Sequence, residues 1–514
     1  MTAFGLRAVR FALLLCAFSS SAATQLIPIR TIPIAQGDQF QIFPSHNLGM
    51  GSVSIALGDA LQDPFLNPAT GARVGASRFF SAPTVYSLSR DAGGGRSLPL
   101  AVLVRSGAWY GGLALTLQQV EPSRTPIDQG GVVFDLGRAD VAPVPPPIPG
   151  PDTRAHGNEY VFAMAGKVLP NARISLGASA LWSGFHALDG VDLLYSGSRR
   201  VAQRGHSLDL RLGILKEWEG GRALEAVLLH NRFAATHDVT YVDLIWDPAL
   251  QSMAERARLE QNADRTGTWG LHLKYARPIG GGASGWRVGW LATVNRMSHP
   301  KIPTYDLSNV PNLSATPRDP GRSLAYNVGI GFSKTRGPAT FGVDAIFEPI
   351  RSYTWADALA PVPNALGDTI AAGGKTVENR FRFANALFRM GVSRDVELRG
   401  VGKAAELQFG LVVRSVRYHL TQTDNVQVLQ RALETGWLEW TPTWGLSLRF
   451  PEFEIRYRGR VTHGAGRPGL VFPVFWGRDV ALAGGTILAA PTGPLNLMDV
   501  STTTHQISLS LPLH

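Results

Sequence analysis

The sequence predicts an all-β protein, a transmembrane antiparallel β-barrel of about 16 strands behind a compact plug-like piece. Three observations carry this. From about Arg78 to the C-terminus, apolar and polar residues alternate in segment after segment, separated by turns. The connections between segments alternate short and long, as they do in barrels with short turns at one rim and long loops at the other. The stretch Leu48 to Ala72, rich in Gly and Ala, comes before all of them and closes on Asn67-Pro68-Ala69. Small residues let backbone pack tightly, and Pro68 forces Asn67 away from helix, so a turn or stop is expected there.

The composition bounds the alternatives. A length of 514 residues would suit about three ordinary domains. No linker divides the chain, so one large β-architecture is the better reading. Charged residues make up 17% and there are 56 glycines. No window beyond the N-terminus is apolar for the 18 or more residues that a helical span needs. Residues 1–23 read as a signal peptide. Arg7 and Arg10 form a positive region, Phe11 to Phe18 a short apolar core, and Ser21-Ala22-Ala23 a cleavage site. Cys16 is the only cysteine, so the mature chain has none, which excludes cysteine-based metal sites and catalysis. The formal charge of +10 falls to +8 without Arg7 and Arg10. The arginines stand singly at alternate strand positions, which speaks against nucleic acid. It fits a barrel interior or contact with anionic lipopolysaccharide.

Thr24 to Asn47 reads as an extended lead-in and Leu48 to Ser77 as the plug. Several later segments show period two clearly. Leu208, Leu210, Leu212 and Ile214 oppose Ser207, Asp209 and Arg211, and Leu407, Phe409 and Leu411 oppose Glu406 and Gln408. Phe453, Ile455 and Tyr457 oppose Glu454, Arg456 and Arg458, and Ile507, Leu509 and Leu511 oppose Gln506, Ser508 and Ser510. Period alone does not say whether the apolar face meets a core or lipid. Short turns are expected near Gly107, Pro170, Gly220, Gly280 to Gly285, Gly337, Ser393 to Lys403 and Phe450. Long connections are expected over 121–157, 185–200, 243–262, 298–322, 357–376 and 463–502. Trp109, Tyr110, Trp182, Trp218, Trp286, Tyr353, Trp355, Trp437 and Trp440 recur near segment ends, as interfacial girdles would.

The pattern Gly49-Met50-Gly51-Ser52, then an acid, then Asn67-Pro68-Ala69 resembles the N-terminal hatch of FadL-like outer-membrane transporters of long-chain fatty acids and aromatic hydrocarbons. It also resembles outer-membrane proteins of the PorV type. The motif spans about 25 residues, and the strand pattern covers most of the rest. The resemblance implies 14 strands, giving an expected range of 14–16, with the hatch inside the lumen. It implies three parts: signal peptide 1–23, N-terminal extension and hatch 24–77, and barrel 78–514. Asp59, Asp63, Asn67, Pro68 and Ala69 are the expected hatch residues, with Asp59 or Asp63 paired to a lumen arginine. The implied function is passive uptake of hydrophobic small molecules across the bacterial outer membrane. The alternative is a docking barrel for a surface or periplasmic protein partner. No cofactor and no catalytic or metal site is expected.

Other motifs fit structural roles. Gly280 to Gly285 matches G-x-G-x-x-G, but a strand-like run from Trp286 follows where a dinucleotide site needs a helix. Gly374-Lys375-Thr376 ends like a P-loop, yet Thr369 stands where its first glycine belongs. His206, His230, His272 and His505 could each meet a serine in a barrel enzyme, with nothing to single one out. Pro143 to Pro147 reads as a stiff surface loop. Asp247 is expected to cap a short helix from Pro248, forming a folded loop or an apolar lip. His514 departs from the terminal aromatic common in outer-membrane barrels.

Overall fold

In the computed structural model the chain from Arg78 onward closes into an antiparallel barrel of 16 strands. The structure describes residues 31, 35–37, 39, 41–122, 155–169, 173–189, 191, 198–247, 251–280, 284–299, 302–306, 316–318, 321–358, 360–398, 403–468 and 497–513. The leader 1–23, the Pro-rich 143–152 and His514 lie outside them.

Strand β1 is broken at Ala82-Pro83 into Arg78–Ser81 and Thr84–Leu88. Then come β2 (Gly94–Ser106), β3 (Trp109–Glu121), β4 (His156–Leu169), β5 (Ile174–Phe185), β6 (Ser198–Trp218), β7 (Arg222–Asp247) and β8 (Ser252–Ile279). The second half holds β9 (Trp286–His299), β10 (Gly321–Arg336), β11 (Ala339–Asp357), β12 (Lys375–Leu398), β13 (Lys403–Asp424), β14 (Leu429–Arg449), β15 (Glu454–Pro468) and β16 (Leu497–Pro512). Each pairs with its neighbours in sequence, and β1 closes the ring by pairing with both β2 and β16. The count is 16, the upper end of the expected range, and not the 14 of the resembled family.

The faces settle which way the alternation points. Val328 is 60% exposed while its chain neighbour Asn327 is 1% exposed, and Phe409 at 61% stands beside Gln408 at 0%. A soluble sandwich would bury the apolar member. Here the apolar face is outside and the polar face lines the lumen, so the wall is built to span a membrane. Along most of its length the backbone pairs with neighbouring strands on both sides, as a lipid environment demands.

The short turns fall at one rim where expected. Gly107 has φ +60°, and Gly220 and Gly221 have φ +76° and +75°, conformations that favour glycine in tight hairpins. Gly280 and Gly285, with φ +69° and +68°, flank the connection between β8 and β9, and a strand rather than a helix follows it. Trp109, Trp218 and Trp286 gather at this rim with Lys167, Lys216 and Lys334, whose ammonium groups lie 4.8, 5.9 and 4.7 Å from the ring centroids. They form an interfacial belt. Two of the expected girdle residues face the lumen instead. Tyr110 is buried on the lumen side, and Trp437 packs against a lumen cluster.

The region 243–262 also departs from expectation. Among the described residues, 243–247 and 252–262 are strand and not an irregular loop. They form the end of a long hairpin in which Val239 pairs with Glu260 and Asp247 with Ser252. A continuous ladder satisfies the backbone of both arms, whereas a single isolated helical turn is marginal.

The outward face yields a direct test. Ile330 stands near mid-belt on β10, so Ile330→Arg should cost about 2–4 kcal/mol in unfolding from phospholipid vesicles. A cost below about 1 kcal/mol would mean that this face does not meet lipid.

Candidate functional site: the hatch, its seat and the lumen above it

The described residues from Ala35 to Arg73 make their contacts with the inner side of the barrel wall. The first of these contacts are near the rim with long connections, where Ala35 N donates to Gly466 O (2.8 Å) and Thr502 Oγ1 donates to Gln36 O (3.3 Å). Lower down, Gln39 is tied to Gln118 (2.6 Å) and to Ala187 O (2.9 Å). Residues 48–73 then fold into a 3-10 turn (Leu48–Met50), a four-residue helix (Asp63–Leu66) and a second 3-10 turn (Pro68–Arg73).

Asp59, Asp63 and Asn67 make hydrogen bonds within this segment. Asp59, 1% exposed, uses both carboxylate oxygens inside the hatch. Oδ2 accepts from Ser45 Oγ (2.7 Å) and Asn47 N (3.0 Å), and Oδ1 accepts from Leu61 N and Gln62 N (both 3.1 Å). Asp63 Oδ2 accepts from Asp59 N at 2.9 Å. Asn67 Oδ1 accepts from Ala69 N (3.1 Å), capping the turn that Pro68 opens. Neither aspartate makes an ion pair with a lumen arginine among the described residues, contrary to expectation. Each is occupied by backbone donors that the short hatch elements leave unpaired.

The hatch is held to the wall through other groups. Arg211 donates to Phe65 O and Leu66 O (both 3.1 Å), taking the carbonyls at the end of the short helix, and is fixed by Asp209 at 2.7 Å. Tyr110 OH donates to Ala69 O (3.2 Å). Arg73 pairs with Glu217 (2.9 Å) and Glu225 (3.0 Å). Asp344 accepts from Ser54 N (2.8 Å), Arg389 donates to Ser52 O (3.2 Å), and Thr443 Oγ1 donates to Gly49 O (2.9 Å). An aromatic nest adds apolar contact. Phe65 stacks on Phe43 at 3.9 Å between centroids and leans on Phe162 at 4.9 Å.

The seat itself is glycine. A Cβ on Gly391 would lie 2.3 Å from Met50 O, one on Gly410 2.3 Å from Gly51 N, and one on Gly289 2.5 Å from Ile55 O. Across the lumen, Gly177 would meet Pro68 C at 2.5 Å and Gly213 would meet Asn67 Oδ1 at 2.1 Å. These glycines are cross-strand partners: Gly342 with Gly391, Gly391 with Gly410, Gly289 with Gly331, and Gly177 with Gly213. They form inward-facing shelves onto which hatch backbone settles. The sequence reading gave these glycines no role. Their signal was present, as single glycines at inward parity inside strands, where close backbone approach is one of the few reasons for them.

Above the hatch the wall changes polarity. On β12 the inward residues Asn385 and Arg389 oppose outward Phe388 and Met390, the membrane pattern. Toward the long-loop rim the order inverts, with Phe381 and Phe383 inward and Arg380 and Arg382 outward. The inversion recurs at Met297 beside Arg296, Ile350 beside Arg351 and Tyr418 beside Arg417. The inward members join in one apolar cluster with Val416 and Leu420, against which Leu433 and Trp437 pack. The sequence reading missed it. Of the four histidines, His230 bonds Thr268 O, His272 bonds Thr293 Oγ1 (2.6 Å) and His505 bonds Tyr457 OH (2.9 Å).

An even-stranded closed barrel with short turns at one rim, an apolar belt outside and a polar lumen is a bacterial outer-membrane barrel. No family model matches the chain, and no curated protein matches it. Solved structures similar to it include a Pseudomonas aeruginosa FadL homologue (10% identity, TM-score 0.45, 93% of this chain and 100% of that one). They also include the Ralstonia pickettii toluene transporter TbuX (11%, 0.36, 91% and 97%) and a bacterial polysaccharide outer membrane secretin (7%, 0.35, 85% and 99%).

Two tests follow from the seat. Cys16 is the only cysteine of the sequence, so Met50→Cys in a Cys16→Ser background, at a position 1% exposed, is a unique reporter. In that background it should resist thiol labelling, and adding Gly391→Val should expose it by at least about tenfold in labelling rate while the barrel stays folded. Equal protection in both would show that Gly391 carries no hatch contact. The second test is pH. Burial pushes the Asp63 carboxyl up from 3.8 to about 7, with Lys274 pulling it down and Glu225 and Asp59 pushing it up. A raised carboxyl pKa means that the seated hatch holds a proton the released one gives up. That stabilisation is complete below about pH 4 and is lost as pH rises through about 7. Labelling at Met50→Cys, taken at each pH relative to the denatured protein so that the rise in thiolate cancels, should therefore increase from pH 5 to pH 8, and Asp63→Asn should flatten the rise. A rise that persists in Asp63→Asn would assign it to another group.

Proposed function

We propose that the protein is a passive outer-membrane channel for hydrophobic small molecules such as fatty acids or aromatic hydrocarbons, gated by its hatch. The observation that carries this is the inward apolar cluster of Met297, Ile350, Phe381, Phe383, Tyr418 and Leu420. A water-filled pore needs no such surface, and an apolar solute crossing a polar lumen does. The cluster contains no hatch residue, whereas the facing apolar nest on β2 to β5 is covered by Phe43 and Phe65. An apolar solute arriving from the long-loop rim would rest on Phe381, Phe383 and Tyr418, each a broad ring at fixed depth. Passage onward requires the hatch to shift on its glycine shelves. Asp59, Asp63, Asn67, Pro68 and Ala69 are in this reading what keeps the hatch one body as it moves.

The experiment is uptake of a radiolabelled long-chain fatty acid and of an aromatic panel by cells with and without the protein. Uptake should depend on the protein and fall about tenfold in Phe383→Arg, which places a charge in the cluster. Deletion of Leu48 to Ala72 should make permeation unselective, admitting polar dyes. No uptake of either class by a correctly inserted barrel would overturn the proposal and favour a docking barrel for a protein partner.

A further inference from the structure

The same inversion that turns the upper lumen apolar turns the outer wall basic. Arg296 on β9, Arg322 on β10, Arg351 on β11 and Arg380 and Arg382 on β12 all face outward, with Lys375 at the start of β12. They are neighbours across the sheet. Arg296 pairs with Leu324, Leu324 with Arg351, and Arg351 with Arg382, while Arg322 pairs with Tyr353 and Tyr353 with Arg380. Together they line a surface hollow of about 690 Å³ whose lining holds no acid. Tyr353 is at its centre, with the guanidinium carbons of Arg322 and Arg380 at 5.7 and 5.5 Å from its ring and Lys375 Nζ at 5.1 Å.

One carboxylate adjoins the hollow. Glu378 accepts from Tyr353 OH and pairs with Lys375 at 3.3 Å and Arg380 at 3.9 Å. Arg296, Arg322, Arg351 and Arg382 have no acidic partner among the described residues. In the lumen, Arg211 is held by Asp209 and Arg449 by Glu406. Like charges gathered without counter-charge repel, so a cluster of this kind fits an anionic ligand from outside the chain.

Its height identifies the ligand. Beneath it on β11 the outward residues are Phe341, Val343, Ala345 and Phe347. At about 3.3 Å per residue and a tilt near 40°, the run from Ala339 to Arg351 rises roughly 30 Å, just beyond an apolar belt about 25 Å tall. The cluster therefore stands at the headgroup level of the leaflet on the long-loop side. The aromatic ring among the cations is the residue type expected at that level. Across β9 to β12 it spans three strand spacings, roughly 14 Å, wide enough for two phosphates on one headgroup. Arginine forks grip phosphate in pairs of hydrogen bonds.

We infer that this face binds the phosphorylated disaccharide headgroup of lipopolysaccharide, one lipid molecule docked against β9 to β12. The inference rests on the outer-membrane reading but not on any cargo, and its test uses no uptake readout. Purified, detergent-folded protein is titrated by native mass spectrometry with bisphosphorylated lipid A, dephosphorylated lipid A, phosphatidylglycerol and inorganic phosphate. Bisphosphorylated lipid A should bind most tightly. Arg351→Glu with Arg380→Glu and Arg382→Glu should weaken it at least tenfold. The same charge change at Arg204, Arg232 and Arg336, on other strands or at the opposite rim, should alter it less than twofold. Should the triple variant fail to fold, Arg351→Gln and Arg382→Gln, each alone, should weaken binding about threefold or more. Undiminished binding by the folded cluster variants overturns the inference. So does equal affinity for phosphatidylglycerol or for dephosphorylated lipid A. Membrane fractionation separates the two failures. A protein absent from the outer membrane defeats the outer-membrane reading, and one present there that does not bind lipid A defeats this inference alone.

Discussion

Backbone lying directly on backbone is the contact on which this molecule depends. Hatch and wall meet at Met50 on Gly391, Gly51 on Gly410 and Pro68 on Gly177, where any side chain would collide. Strand glycines are costly, because they weaken the ladder and lose much entropy on folding. A barrel can carry them because hydrogen bonds on both sides of every strand over-determine its conformation. The gain is a hatch that fits by shape and is pinned by a few directional bonds. Arg211 grips two carbonyls, Arg73 two carboxylates, and Asp344 a backbone amide. Interfaces of this type can release in steps as bonds are exchanged for water. A large apolar interface releases only as a whole.

The aspartates fit the same logic. Asp59 and Asp63 were expected to bridge hatch and wall, and they organise the hatch internally instead. The wall contacts therefore remain separable from the hatch's own fold. Asp63 nonetheless feels the wall, because Lys274 and Glu225 lie close enough to move its proton affinity. A charge change in the lumen can thus reach the hatch without breaking it.

Much of the barrel was legible because period two is set by the pleat and survives any context. Leu407 to Leu411 and Ile507 to Leu511 point outward as the alternation requires. That Gly49 to Ala69 packs closely and irregularly was legible because Gly-rich, Pro-bounded backbone suits tight turns. What was not legible has physical reasons. The ladder between β7 and β8 extends well past the membrane and overrode a locally plausible helix start at Asp247. Tyr110 and Trp437 were misread because an aromatic near a strand end is ambiguous until parity is fixed. Glycines 391 and 410 gave no role to name until the hatch was seen resting on them. Pairing of Arg73 with Glu217 and Glu225 joins residues more than 140 positions apart, beyond any local pattern.

The inversion of polarity on β9 to β13 ties the two faces of the wall together. Below it, lipid demands apolar residues outside and the hatch demands polar ones inside. Above it, lipid gives way to charged headgroups, and the requirement outside reverses. Period two leaves each strand only two sides, so Arg380, Arg382 and Arg351 outside leave Phe381, Phe383 and Ile350 inside. A polar lumen lining would have been compatible with those arginines, as Asn379 and Asn385 on the same strand demonstrate. The apolar cluster is therefore an independent choice of the sequence at that height. It places an apolar, aromatic surface inside the wall at the height where the arginines stand outside.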